Sequence, residues 1–344
     1  MKGVVFTGDR SLELRHFDDP KPGGDEVVIG IRASGMCGSD LHVYRSTDKK
    51  AVGKFIAGHE PCGVVLERGP AVSESVAPEG ARVMVHHYDG CRTCSNCMSG
   101  WTQLCDQGST VFGRTGHGAH ARYMKVPART LVALPEALSF KTGAAISCGT
   151  GTAFGAIQRM RMRGGSTLAV YGQGPVGLSA TMLASAMGAR VIAVDVVDER
   201  LERAKEFGAD ATVNAAKDDP VEAIRELTGG GADYGMECSG VPEASANTVR
   251  SARSWGTVCF VGMGSRPASY DVTNDIIRKQ LTLLGSWTFS TSGQRDCAAF
   301  VAAHDLPVEK LFTHEFALDQ AEEAYRLFDT RTTGKAVILP DQNS

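Results

Sequence analysis

The 344-residue chain carries 36 basic and 39 acidic side chains, with 22% charged and 42% hydrophobic residues. This ordinary balance gives no reason to expect nucleic acid or an anionic membrane surface as partner. The opening Met1-Lys2-Gly3 segment lacks the apolar stretch of a secretory leader, and no window reaches the roughly 18 to 20 apolar residues of a membrane span, so a cytoplasmic protein with reduced thiols is expected.

Two domains are the default at this length. Up to about residue 148, short β-branched runs (Val4-Val5-Phe6, Val27 to Ile31, Gly63 to Leu66, Arg82 to Val85) alternate with turn residues such as Pro78-Glu79-Gly80. That texture predicts a compact, barrel-like β domain. From about 150 the pattern changes to strand and helix in alternation. Thr167 to Tyr171 is a strand, Pro175 to Met187 a helix, Arg190 to Asp195 a strand and Asp198 to Phe207 a charged helix closed by Gly208. Thr212-Val213, Tyr234 to Cys238, Thr257 to Val261 and Leu281 to Leu284 continue the strands, which predicts a doubly wound parallel sheet. The alternation ends near Trp287. A helix over Asp319 to Asp329 and a strand over Gly334 to Leu339 follow, and that strand is expected to return to the first domain.

Cys91, Cys94, Cys97 and Cys105 form a C-x2-C-x2-C-x7-C run. Four soft ligands packed this closely suit the tetrahedral coordination of structural Zn2+, and a lobe so small would draw its folding energy from the metal. Cys62, Cys238, Cys259 and Cys297 stand alone among apolar or small residues and are expected to be inert packing. Spacing by itself leaves Cys37, the His59-Glu60 pair and Cys148 open between core residues and a second metal site with one free position.

Gly172-Gln173-Gly174-Pro175-Val176-Gly177 is a G-x-G-x-x-G motif placed between a strand and a helix, with Asp195 at the end of the next strand. In that context Gly172 allows the tight turn, Gly174 admits a pyrophosphate and Gly177 lets the helix approach the sheet. Pro175 and Val176 open the helix, whose free N–H groups favour phosphate. Asp195 would bind the adenosine ribose hydroxyls and repel a 2′-phosphate, favouring NAD over NADP; Arg200 could also reach that ribose and would soften the exclusion.

Taken in order, Cys37-Gly38-Ser39-Asp40, Gly58-His59-Glu60, the four-cysteine lobe, Cys148, the Gly172 motif and Asp195 resemble the zinc-dependent medium-chain alcohol dehydrogenase family over nearly the whole chain. The resemblance implies an α/β chain with a GroES-like β-barrel catalytic domain (1–149, completed by 287–344) and a Rossmann doubly wound parallel-sheet domain binding NAD (150–286). It implies two Zn2+ per subunit. Cys37, His59 and Cys148 would hold the catalytic ion, with Glu60 beside it and Asp40 orienting His59, and Cys91, Cys94, Cys97 and Cys105 would hold the structural one. In such enzymes the metal acts as a Lewis acid on the substrate oxygen and hydride passes to NAD+. Ser39 matches the hydroxyl that accepts the substrate proton, and His42 the histidine that passes it on.

The resemblance further implies a small-molecule alcohol or carbonyl substrate, secondary or polyhydroxylated, and a homotetramer. A carbonyl reductase using NADH, and a non-catalytic NAD-binding redox sensor, are the alternatives. Cys-Gly-Ser-Asp resembles the polyol and threonine dehydrogenase branch, whereas Cys148 departs from the polyol pattern. His87 and His120 fall where relatives place large aromatic pocket residues, which would favour a substrate with added polar groups. Both also fit surface histidines on Gly-rich loops.

Overall fold

The computed structural model describes residues 1–48, 50, 52–264, 268–330 and 334–340. The chain divides into two units, Met1–Cys148 with Ser290–Ser344, and Gly149–Phe289. Among the described residues no helix is long and apolar enough to cross a membrane.

The first unit is built on the strand Glu26–Gly35, whose β-branched run Val27 to Ile31 is fully covered. It pairs antiparallel with Glu60–Arg68 and with Tyr123–Pro127, and the sheet continues through Arg82–Val85 to Leu131–Ala133. The segment Lys335–Leu339 pairs antiparallel with the same strand and parallel with Phe312–Ala317. Register decides what this achieves. Gly35 lies opposite Glu60 on one side and Val337 on the other, so three strands from distant parts of the chain converge there.

Two apolar cores flank the sheet. One gathers Val27, Ile29, Ile31, Val65, Val83 and Met124; the other gathers Phe6, Met36, Leu41, Tyr44, Tyr325 and Phe328. Each large side chain so covered stabilises the fold by about 1.5–3 kcal/mol. Tyr325 and Phe328 reach their core because Ala321, Ala324, Tyr325 and Phe328 form one face of the helix Ala321–Asp329.

In the second unit six strands, all parallel, lie in the order Ala211–Asn214, Arg190–Asp195, Thr167–Tyr171, Ala232–Glu237, Ala252–Phe260, Thr282–Gly285. This is the doubly wound arrangement expected from the alternation, with reversal of direction beside Thr167–Tyr171. Proline opens the helices Pro175–Ala186, Pro220–Thr228 and Pro242–Ser251, where its missing N–H costs nothing. The strand Ala252–Phe260 begins five residues before the expected Thr257, because the register shift between Ala232 and Tyr234 lets Ala252 pair as well. The expected helix over Asp319 to Asp329 is split, with a 3-10 turn Leu318–Gln320 preceding Ala321–Asp329.

Candidate functional site

The sulfurs of Cys37 and Cys148, a ring nitrogen of His59 and a carboxylate oxygen of Glu60 lie within 4.8 Å of one another. Cys37 follows the strand end at Gly35, and His59-Glu60 opens the partner strand. Gly35 is needed there, since a Cβ would stand 1.9 Å from Glu60 Oε2.

Asp40 braces the cluster. Its Oδ1 lies 2.7 Å from His59 Nδ1 and its Oδ2 accepts the Cys37 N–H at 2.9 Å. With Nδ1 so engaged, His59 presents Nε2 to the cluster, 3.4 Å from Ser39 Oγ. Burial opposes the charge on Asp40, but the His59 ring outweighs it and holds the carboxyl below its usual range. His59 is raised well above its ordinary value for the same reason, the carboxylate overcoming the penalty of burial.

The cluster's chemistry fits a metal. Cys37 and Cys148 sulfurs stand 3.9 Å apart. Two thiolates on a tetrahedral zinc, each at about 2.3 Å, would stand about 3.8 Å apart, whereas a disulfide needs about 2 Å. The contact with Cys148 holds Cys37 well below the usual thiol value and pushes Cys148 well above it, so side by side only one ionises. A bound cation lets both ionise. The four-cysteine lobe fits equally: Cys91 and Cys97 sulfurs lie 4.0 Å apart, and the ligand atoms of all four fall within 4.8 Å of one another. Backbone N–H groups of Cys91 and Cys94 point at the sulfurs of Cys105 and Cys91, at 3.3 and 3.4 Å. The Thr93 hydroxyl, with the backbone N–H groups of Thr93 and Cys94, draws Cys91 down to about 6.

Three residues that sequence reasoning missed complete the surroundings. Lys335, 2% exposed, places Nζ 2.5 Å from Glu60 Oε2 and 3.3 Å from the Met36 carbonyl. Burial still raises Glu60 to about 7 against that lysine. A lysine opening an apolar strand reads as a surface residue, and its partner lies far away in sequence. Tyr325 lies behind Asp40, with its hydroxyl 3.4 Å from Asp40 Oδ2 and 2.7 Å from His120 Nε2. His120 Nδ1 in turn lies 2.7 Å from Ser34 Oγ. Burial holds His120 down to about 4, so the ring is neutral. One consistent set of protons then runs from the Ser34 hydroxyl to His120 Nδ1, from His120 Nε2–H to Tyr325, and from the Tyr325 hydroxyl to Asp40. Arg114 is the third; its Nη2 donates to the Ser39 carbonyl at 2.9 Å.

These contacts correct the reading of the two histidines. Neither is a surface residue. His120 is 0% exposed and has both ring nitrogens engaged behind Asp40, so it lines no pocket. His87 does lie at the cluster, its ring centroid 5.1 Å from that of His59 and its Nδ1 3.0 Å from the Ser147 carbonyl. His42 is exposed on the short helix Asp40–Tyr44, and among the described residues no side-chain hydrogen bond joins it to Ser39.

In the second unit Gly172 adopts φ 90° between the strand Thr167–Tyr171 and the helix Pro175–Ala186. A Cβ on Gly177 would stand 1.8 Å from the Gly172 carbonyl oxygen, while one on Gly174 would meet nothing within 4 Å. Helix and turn are thus in contact, and the space over Gly174 suits a pyrophosphate above the N–H groups of Val176 and Gly177, which follow Pro175 in the helix's first turn. Asp195 Oδ2 accepts the Gln173 N–H at 2.6 Å, and Oδ1 accepts those of Val196 and Val197 at 2.8 and 3.1 Å. Arg200 Nη1 lies 3.8 Å from Asp195 Oδ1. Asp195 therefore ties the glycine turn to its own turn, and the ribose reading has to share the carboxylate with that structural duty.

Residues 23–136 match the model of the alcohol dehydrogenase GroES-like domain and residues 175–303 that of zinc-binding dehydrogenases. The chain is 38% identical to an uncharacterized zinc-type alcohol dehydrogenase-like protein, YphC, of Escherichia coli, over 99% of each. It is 31% identical to L-threonine 3-dehydrogenase of Bacillus velezensis over 99% of each, and 33% identical to sorbitol dehydrogenase 1 of Saccharomyces cerevisiae over 92% of this chain and 91% of that one. Among solved structures, alcohol dehydrogenase TADH of Thermus sp. ATN1 matches with a TM-score of 0.91 at 28% identity, over 98% of this chain and 99% of that one. A zinc-binding dehydrogenase of Sinorhizobium meliloti bound to NADP (29% identity, TM-score 0.89, covering 98% and 99%) matches as well. So does an Escherichia coli alcohol dehydrogenase complexed with NADH (26% identity, TM-score 0.89, covering 99% of each). By domain models and by whole-length identity, the chain belongs to the zinc-dependent medium-chain alcohol dehydrogenase family.

Proposed function

We propose that this protein is an NAD-dependent zinc alcohol dehydrogenase that oxidises a secondary or polyhydroxylated alcohol to its carbonyl: alcohol and NAD+ give ketone or aldehyde, NADH and a proton. The observation that carries the reading is the convergence of Cys37, His59, Glu60 and Cys148 on one point with Asp40 bracing the imidazole. When bound, zinc would supply Lewis acidity toward the substrate oxygen and NAD+ would accept the hydride.

The chain's own groups do the rest. Asp40 fixes the His59 tautomer and ring plane. Ser39 Oγ, 3.4 Å from His59 Nε2, is placed to accept the hydroxyl proton. Lys335 holds the Glu60 carboxylate beside the cluster. Asp195 favours an unphosphorylated ribose, which supports NAD over NADP, and the Arg200 guanidinium 3.8 Å from it softens that preference. A homotetramer is part of the proposal and is checked by light scattering at micromolar concentration.

The test is NAD+ reduction across polyols, hydroxy acids, amino alcohols and simple alcohols by zinc-loaded protein, with metal analysis giving two zinc ions per subunit. Cys37→Ala should abolish turnover while NAD+ still binds. Turnover retained in that variant, or one zinc per subunit in replete protein, rejects the reading.

A further inference from the structure

The first unit contains a hollow of about 210 Å³ whose walls include Val43, Lys50, Lys54, Phe55, Gly113 and Arg114. Its position is fixed from two sides. Val43 lies on the short helix that starts at Asp40, just after Ser39. The loop at Gly113 packs directly on the segment leading to His59, since a Cβ at Gly113 would stand 2.9 Å from the Gly58 carbonyl carbon and 3.2 Å from His59 N. The Phe55 side is held by His117, whose ring lies 5.7 Å from that of Phe55 and whose Nδ1 accepts the Ile56 N–H at 3.2 Å.

The lining has one sign of charge. Among the described residues, Lys50, Lys54 and Arg114 line the hollow and no carboxylate does. Among the described residues none of the three pairs with an acid, whereas Arg10, Arg15, Arg45, Arg68, Arg82, Arg92 and Arg129 of the same unit each have a carboxylate partner. Arg114 is also held in place, one donor on the Ser39 carbonyl at 2.9 Å, which leaves the rest of its fork for another acceptor.

We infer that Arg114, assisted by Lys54, is a specificity-determining residue that binds an anionic substituent of the substrate, a carboxylate or a phosphate borne by the hydroxy compound. This rests on the oxidoreductase reading above and narrows its substrate class. A planar guanidinium anchored at one edge binds either oxyanion through paired donors, and a charged hydrogen bond of this kind separates charged from uncharged ligands by about 10- to 100-fold.

The test titrates zinc-loaded enzyme by calorimetry, and follows NAD+ reduction, with polyol monophosphates and hydroxycarboxylates, each against its uncharged counterpart; the two arms decide between phosphate and carboxylate. One anionic arm should bind at least about tenfold tighter than its counterpart, and that ratio should collapse in Arg114→Gln, shrink in Lys54→Gln and be largely restored in Arg114→Lys. Equal affinities for charged and uncharged members, or a ratio untouched in Arg114→Gln, overturns the inference. Turnover without charge discrimination sinks the anion site alone. Charge-dependent binding with no NAD+ reduction by any hydroxy compound sinks the oxidoreductase reading and leaves the anion site standing.

Discussion

Tyr325 brings a hydroxyl into an apolar cluster that includes Phe6, Met36, Leu41, Phe316 and Phe328. Its contacts with His120 and Asp40 offset the cost of burying that group. Tyr325→Phe keeps the ring packing against Phe6, 4.7 Å away, but strands the His120 N–H and removes a donor from Asp40. A buried donor left unmatched costs about 1–3 kcal/mol, read as a lower urea midpoint. Since Asp40 orients His59, zinc should also dissociate more readily, by about tenfold in a competition with a chromogenic chelator; unchanged zinc affinity would cut Tyr325 out of the metal's support. Asp40 beside His59 was legible in the sequence because the family pattern carries both. Tyr325 was not, because at its helical position a tyrosine reads as core, and its polar partners lie 285 and 205 residues away. The residue that could have raised the question was His120, a polar ring beside the glycines at 116 and 118.

The four-cysteine lobe is an element with almost no apolar support. Its helix Ser95–Met98 buries none of its residues, and Met98 is 77% exposed. Gly90 makes room for the sulfurs, because a Cβ there would stand 2.4 Å from Cys97 Sγ. Chelation should therefore loosen this lobe selectively: limited proteolysis of metal-depleted protein is expected to cut within residues 91–108 while the second unit's core amides keep their hydrogen-exchange protection. Equal protection of the lobe with and without metal would contradict a metal-built element. This lobe was readable because ligand spacing is local. The helix Gly149–Met160 was not, since its opening Gly149-Thr150-Gly151 looks like a turn and burial on nearly every face erases the amphipathic period.

At the scale of the molecule, acid sensitivity follows from histidines kept neutral in the interior. Burial lowers both His86 and His120 to about 4. Between their ordinary value near 6.5 and about 4, the unfolded chain binds protons that the folded chain refuses, so stability is full above 6.5 and falls as pH drops through that window. Each ring contributes up to about 3 kcal/mol to the loss. The urea midpoint of zinc-replete protein should fall between pH 7 and pH 4.5, and His86→Leu should flatten the slope by one ring's share, a difference that zinc release alone does not produce. An identical slope in the variant would refute it. The parallel sheet was legible in the alternation of elements, whereas interior histidines were not, because a ring's surroundings come from segments far apart in the chain.

The convergence at Gly35 also bears on how the chain is made. Glu60 leaves the ribosome early, while the strand that carries Lys335 is translated only after the whole of Gly149–Phe289. At ordinary elongation rates that interval is roughly half a minute. Throughout it, the nascent carboxylate has neither its lysine nor the third strand beside it, so the surroundings of the cluster are completed only at the end of synthesis.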